Sequence, residues 1–197
     1  MHAELPEDDH PPAPLSAAQV TAFWNDFSGQ LTALAALDGR AFVEAANALL
    51  QRHAPGLSLE LEGTPGQDGA RLVVTAHGNI EHFEVAQAMV RQAPPLAGYA
   101  VQAFRSRAAG SNFAMRLQDF ELSCDDVLVA HYDAGGIIGL ALSFAQAVPP
   151  QLQEQARHMA FILLDHALGE WDFAVRVGPV EFGDAEACLL YTSPSPR

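Results

Sequence analysis

Apolar positions along the chain switch between a helical period and a strand period, and the switches outline the fold. Val20, Phe23, Trp24, Phe27, Leu31 and Leu34 share one face at close to 3.6-residue spacing. Ser16, with Gln19 three residues on, forms a capping-box pattern at the start of that helix. Asp38-Gly39 breaks it, and Asp38 is placed to cap a second helix carrying Phe42, Ala45, Ala46, Leu49 and Leu50. Pro55-Gly56 ends this helical hairpin. "LSLELE" (57–62) then alternates strictly, which predicts a half-buried strand, and "RLVVTAH" (71–77) is its expected antiparallel partner. Asn79 caps a third helix, with Glu81 in its first turn, Phe83, Ala86, Met89 and Val90 facing inward and Pro94-Pro95 as the stop.

The second half reads mostly as strands. "YAVQAFR" (99–105) and "NFAMRL" (112–117) have strand character, and "LSCDD" (122–126) reads as a short helical turn. "VLVAHYD" and "IIGLALSF" flank "AGG", a hairpin signal. Pro149-Pro150 opens a last helix with Leu152, Ala156, Met159, Ala160, Leu163 and Ala167 inward. Gly169 suits a left-handed residue after the helix end. "WDFAVRV" (171–177) predicts a returning strand that "PVEF" extends. The order predicts an α+β fold in two layers: a mainly antiparallel sheet covered by helices on one face, with an N-terminal helical hairpin. One domain is expected over residues 16–187, after an acidic, proline-rich, disordered tail at 1–15.

Composition narrows the partners. The chain has 24 acidic and 10 basic residues, a formal charge of -14, and all ten bases are arginine. Nucleic acid and anionic membrane surfaces both require clustered cations, so neither is an expected partner. No apolar run is long enough for a membrane span, and "MHAELPEDDHPPAP" lacks the cationic start and apolar stretch of a secretory signal, so the cytoplasm is expected. Cys124 and Cys188 do not make a disulfide framework. The last ten residues, "CLLYTSPSPR" (188–197), reverse-translate to a sequence that resembles a transposase adapter used in library preparation. They are read as an artefactual tail, with the native chain expected to continue differently after Ala187.

"FWNDF", "APPLAGYAVQAFRSR" and "FILLDHALGEWDFAVRVGPVEF" together resemble a family of uncharacterised bacterial proteins with "AFR.R" and "LLD..LGE.D" stretches. The resemblance spans most of residues 20–182. Tyr99 stands where tryptophan is expected, and His77 replaces a smaller or acidic residue. The resemblance implies one intact domain and no particular reaction.

Three clusters are candidates for chemistry. Asp165, His166, Glu170 and Asp172 crowd a helix end and could ligate a divalent metal or transfer protons. The plainer reading places His166 in a last helical turn, where a cation is favoured, and pairs the acids with arginine. His77, Glu81 and His82 follow H-x3-E-H, one residue longer than an inverted zinc motif, so they are weak metal candidates. Arg105 and Arg107, which alternation puts on one strand face, with Arg116 on the next strand, form the one evident cationic concentration. Their forks suit a carboxylate or phosphate, or else pair with acids of the same chain. Cys124, flanked by acids, is expected to be an inert thiol. No nucleotide-binding loop or nucleophile elbow is present. The expected function is a non-catalytic cytoplasmic binding or interaction domain, without a cofactor, for an unknown protein or small anionic ligand. Its preferred contact residues are Arg105, Arg107 and Arg116. The alternative is a metal-dependent enzyme built on residues 165–172.

Overall fold

The computed structural model describes residues 15–108 and 113–183. The acidic N-terminal stretch before Leu15, the start of the strand expected at 112 and the tail at 188–197 lie outside the described residues. The class is α+β with an N-terminal helical hairpin. The chain divides into two compact units between Phe104 and Arg105.

The N-terminal unit begins with α1 (Ala17–Ala35) and α2 (Gly39–Leu50). Ser16 closes the predicted capping box with Gln19, and the Asp38 carboxylate accepts from the Ala41 N–H at 2.9 Å. Both caps satisfy donors that a helix start leaves open. β1 (Ser58–Glu62) pairs antiparallel with β2 (Ala70–Thr75), which pairs parallel with β3 (Tyr99–Ala103). The parallel step needs a crossover, and α3 (Phe83–Arg91) supplies it after a short 3-10 turn over Ile80–His82 that Asn79 caps. Val20, Phe23, Trp24 and Phe27 are buried, as are Phe42 and Leu50 from α2. The Trp24 indole N–H donates to the Met89 carbonyl at 2.8 Å, tying α1 to α3. The Asn47 side chain bonds both the N–H and the C=O of Leu59 at 2.8 Å, so α2 occupies part of the free edge of β1.

The C-terminal unit opens with β4 (Ala114–Leu117) and β5 (Phe120–Ser123), joined by Gln118-Asp119. β6 (Val127–Asp133) and β7 (Ile138–Phe144) form the expected hairpin. The Asp133 carboxylate accepts from the N–H groups of Gly135 and Gly136, which holds the turn. α4 (Gln153–Leu168) and α5 (Glu170–Arg176) lead into β8 (Val177–Phe182), parallel to β7. Leu140 and Leu142 of β7 pack with Phe120, Leu122, Ala156, Met159, Ala160, Leu163 and Leu164 in one apolar core. Among the described residues the strands form three small sheets, with three antiparallel and two parallel pairs. Also among them, no helix is long and apolar enough to cross a membrane.

Three local expectations change. "WDFAVRV" is helical through Arg176, and the strand starts only at Val177. Its β-branched and aromatic residues favour a strand in isolation, but context outweighs that preference. The Glu170 N–H is held by the Arg105 carbonyl at 3.1 Å, and an Asp172–Arg176 pair four residues apart spans the helix. β5 is a strand that the sequence reading does not predict, although "FELS" alternates and follows a two-residue turn in which Gln118 has φ 56°. β3 stops at Ala103 because Phe104 turns to φ 66°, laying its ring 4.4 Å from that of Phe83.

Candidate functional site

Two of the three sequence clusters meet in the C-terminal unit. Arg105 follows the kink at Phe104, so strand alternation no longer governs it or Arg107. Its guanidinium forks onto Asp165, with Nε and Nη2 each 2.8 Å from Oδ2. Nη2 also lies 4.0 Å from Oε2 of Glu170. The Arg105 backbone N–H donates to the same Glu170 oxygen at 3.3 Å. Glu170 is fully buried, and Arg105 and Asp165 are mostly so. Burial at this site is costly for each ion and is offset only by such pairing.

The α4–α5 junction makes the approach possible. Gly169 has φ 83° and ψ 150°, positive in φ as the sequence predicts but outside the left-handed helical region. Its N–H caps α4 on the Asp165 carbonyl at 2.8 Å, and its carbonyl accepts from Phe173 at 3.0 Å as α5 begins. A Cβ here would lie 2.8 Å from the Arg107 nitrogen and 3.1 Å from the Arg105 oxygen. The 105–107 segment therefore packs directly on a bare Cα. The Ala108 N–H donates to the His166 carbonyl at 3.1 Å, and the His166 ring stacks near Phe113 at 4.1 Å.

Burial pushes the Asp165 carboxyl above its usual value, while the Arg105 charge and hydrogen bond pull it down without prevailing. The folded state thus holds the Asp165 proton more tightly than the unfolded chain. Its contribution to stability falls as pH rises from the ordinary carboxylate value near 3.8 to the raised one. An Asp165→Asn variant lacks this term. Its stability deficit against the parent should shrink as pH rises through the acid range, measured by urea unfolding at a series of pH values. A deficit that grows with pH would mean that the Arg105 attraction dominates.

The other sequence candidates do not join this node. Arg116 faces Glu121 across the β4–β5 pair, with Nη2 2.6 Å from its carboxylate, in an exposed ion pair. Arg107 is exposed. Asp172 pairs with Arg176 at 3.2 Å. In the N-terminal unit His77 turns to φ 51°, and its N–H bonds the Thr75 hydroxyl at 3.0 Å. The His82 ring lies against Gly56, and the Glu81 N–H is taken by the Asn79 cap. Among the described residues, no group of three or more His, Cys, Asp and Glu side chains is placed to hold a metal ion. The Cys124 thiol is raised by burial and then by the Asp125 charge, which disfavours a thiolate.

A different feature, not singled out from the sequence, lies at the edge of the β6–β7–β8 sheet. Ala145 N–H to Asp126 C=O and Ala134 N–H to Ile137 C=O are both 2.9 Å and fix the ladder parity. Leu128, Ala130 and Tyr132 therefore bond β7, and the backbone groups of Val129 and His131 point away from it. Among the described residues those of Val129 and His131 have no hydrogen-bond partner. Leu128 and Val129 are 41% and 49% exposed. The opposite edge, β8, carries Gly178 and Pro179, and its register against β7 slips between Ile138 and Leu140. Proline and irregular pairing protect a sheet edge, and β6 has neither. Comparison with protein-family models, with curated proteins and with solved structures finds no match for this chain.

Proposed function

We propose that this protein is a non-catalytic cytoplasmic interaction domain that meets a protein partner through the edge of β6. The observation that carries this reading is the outward backbone at Val129 and His131, unpaired among the described residues, beside exposed Leu128. Such an edge is a ready template for an added strand. Arg105, the centre of the cationic surface expected from the sequence, is engaged by Asp165 and Glu170. Its role in this reading is to hold the α4–α5 junction rather than to meet the partner. The carboxylates of Asp165 and Asp172 are likewise ion-paired.

The test is a photo-crosslinking residue at Leu128, in living cells, with the same residue at exposed Glu44 of α2 as control. Protein adducts are expected at Leu128, and a His131→Pro change should abolish them. Proline there removes an outward N–H while leaving the β6–β7 ladder bonds in place. Equal adducts at Glu44, or adducts at Leu128 indifferent to His131→Pro, would overturn the assignment of the contact edge.

A further inference from the structure

We infer that the strand added to β6 comes from a cationic protein segment and seats one valine-sized aliphatic side chain in a cavity between β6 and α4. This deepens the reading of β6 as the contact edge and rests on it.

The backbone of this edge is a small anchorage. The Val127 N–H is taken by the Cys124 carbonyl, where the short 3-10 turn over Cys124–Asp126 ends. The open stretch therefore centres on Val129 and His131. So few main-chain bonds hold any extended segment alike, and selection among segments falls to side-chain pockets beside the edge.

One such pocket lies there. Cys124, Val127 and Val129 line it on the strand side, and Leu163, Leu164 and Ala167 line it from α4. Among the described residues none from β7 or β8 lines it, so it opens at the margin of the sheet. Val129 at its mouth is 49% exposed, while Leu163 and Leu164 at its floor are 2% and 6%. Val127 and Val129 pair with Phe144 and Leu142, and Leu142 shares a core with Leu163, so both valines are on the α4 side of the sheet. Residues opposite each other on adjacent strands place their side chains on the same face. A residue seated opposite Val129 therefore projects over this cavity, whichever way the added strand runs. The cavity holds about 70 Å³, close to the share of two waters at ~30 Å³ each. Its lining has no charged group, so a charged anchor would be buried without compensation. A branched aliphatic side chain meets both conditions.

Charge decides the rest of the segment. Between Arg116 and Arg157 the chain has no arginine or lysine and six acids: Asp119, Glu121, Asp125, Asp126, Asp133 and Glu154. Asp125, just before β6, and Asp133, at its end, are both exposed. They bracket Val129 at four residues to either side. An acidic segment is repelled from this edge, whereas one with arginine or lysine on both sides of its anchor is drawn to it.

The test titrates isotope-labelled full chain with the synthetic peptide RKTTVTTKR, up to about 1 mM to cover weak interfaces. Saturable binding is expected, with amide exchange slowed at Val129 and His131 and resonance shifts at Leu164 and Ala167. The peptide RKTTDTTKR puts a carboxylate at the anchor, and EETTVTTEE reverses the flanking charges. Each should bind about tenfold more weakly or worse. Ala167→Leu fills the cavity without touching the β6 backbone, and it should weaken RKTTVTTKR by about tenfold. Should Ala167→Leu fail to fold, the peptide series still decides. No binding by about 1 mM, equal binding of either altered peptide, or shifts confined to other surfaces overturns the inference. If the peptides fail yet Leu128 crosslinks in cells to a protein lost with His131→Pro, the anchored cationic segment falls and the β6 contact edge stands. If the crosslinks fail as well, both fall.

Discussion

A Gly169→Ala chain is expected to lose about 4 kcal/mol from its C-terminal unit. Two terms add. The backbone at φ 83°, ψ 150° is a region that L side chains rarely enter, with strain of about 1–3 kcal/mol. The new Cβ would also sit 2.8 Å from the Arg107 nitrogen, a backbone atom that cannot rotate aside, and overpacking of that kind costs about 1–3 kcal/mol. The 105–107 segment must move, and with it the Arg105 fork. The two tryptophans of the chain, Trp24 and Trp171, fall one in each unit, so fluorotryptophan labelling gives a separate signal for each. At about 4–8 °C per kcal/mol for a unit of this size, the Trp171 signal should melt at least ~15 °C earlier. A shift below about 4 °C would mean that the junction relaxes freely and that the bare Cα is not required. The response of the Trp24 signal reports, in the same experiment, whether the units unfold together.

Arg105→Ala should follow closely, at about 3 kcal/mol. Removing one partner from a buried ion pair costs about 3–5 kcal/mol because the other charge is left uncompensated. The lower end applies since Asp165 is 19% exposed, while Glu170 at 0% has no access to water. Arg105→Lys separates charge from geometry. It keeps the cation but loses the fork that places both Nε and Nη2 on one Asp165 oxygen, and it should recover part of the loss. The readout is the Trp171 signal in urea. An Arg105→Ala chain as stable as the parent, but lacking its partner, would return Arg105 to the contact surface expected from the sequence. Destabilisation with the β6 contact intact supports the internal role.

The Arg105 node shows what sequence reading can and cannot reach. In the sequence its residues fall into two separate clusters. Asp165 and Glu170 lie close together in sequence, and alternation predicts Arg105 on a strand face with Arg107. The pairing itself spans 60 residues. No local signal records a contact of that range, because propensity and periodicity act over a few turns of chain. Alternation also misled at Arg105, since it assumes a continuing strand and Phe104 ends that strand with a left-handed turn. The β6 edge was hidden for a related reason. "VLVAHYD" announces a strand, but whether a strand lies at a sheet's edge depends on what pairs beside it.

The chain by itself determined its local structure wherever local physics dominates. The capping box at Ser16, the Asp38 cap, the two-residue alternation at 57–62 and the "AGG" hairpin all rest on contacts between near neighbours, and all are present. Gly169 was legible as a positive-φ position from its place after a helix. Tertiary structure decided the rest. It turned "WDFAVRV" into helix because the Arg105 backbone holds the first N–H of α5. It split the strands into three sheets with two parallel pairs, which helical crossovers permit and alternation cannot foretell. It engaged Arg105 internally and left the backbone of β6 unpaired at Val129 and His131 among the described residues. The physical division is one of range: hydrogen bonds within a turn are written in adjacent residues, whereas charge burial and edge exposure exist only once distant segments have met.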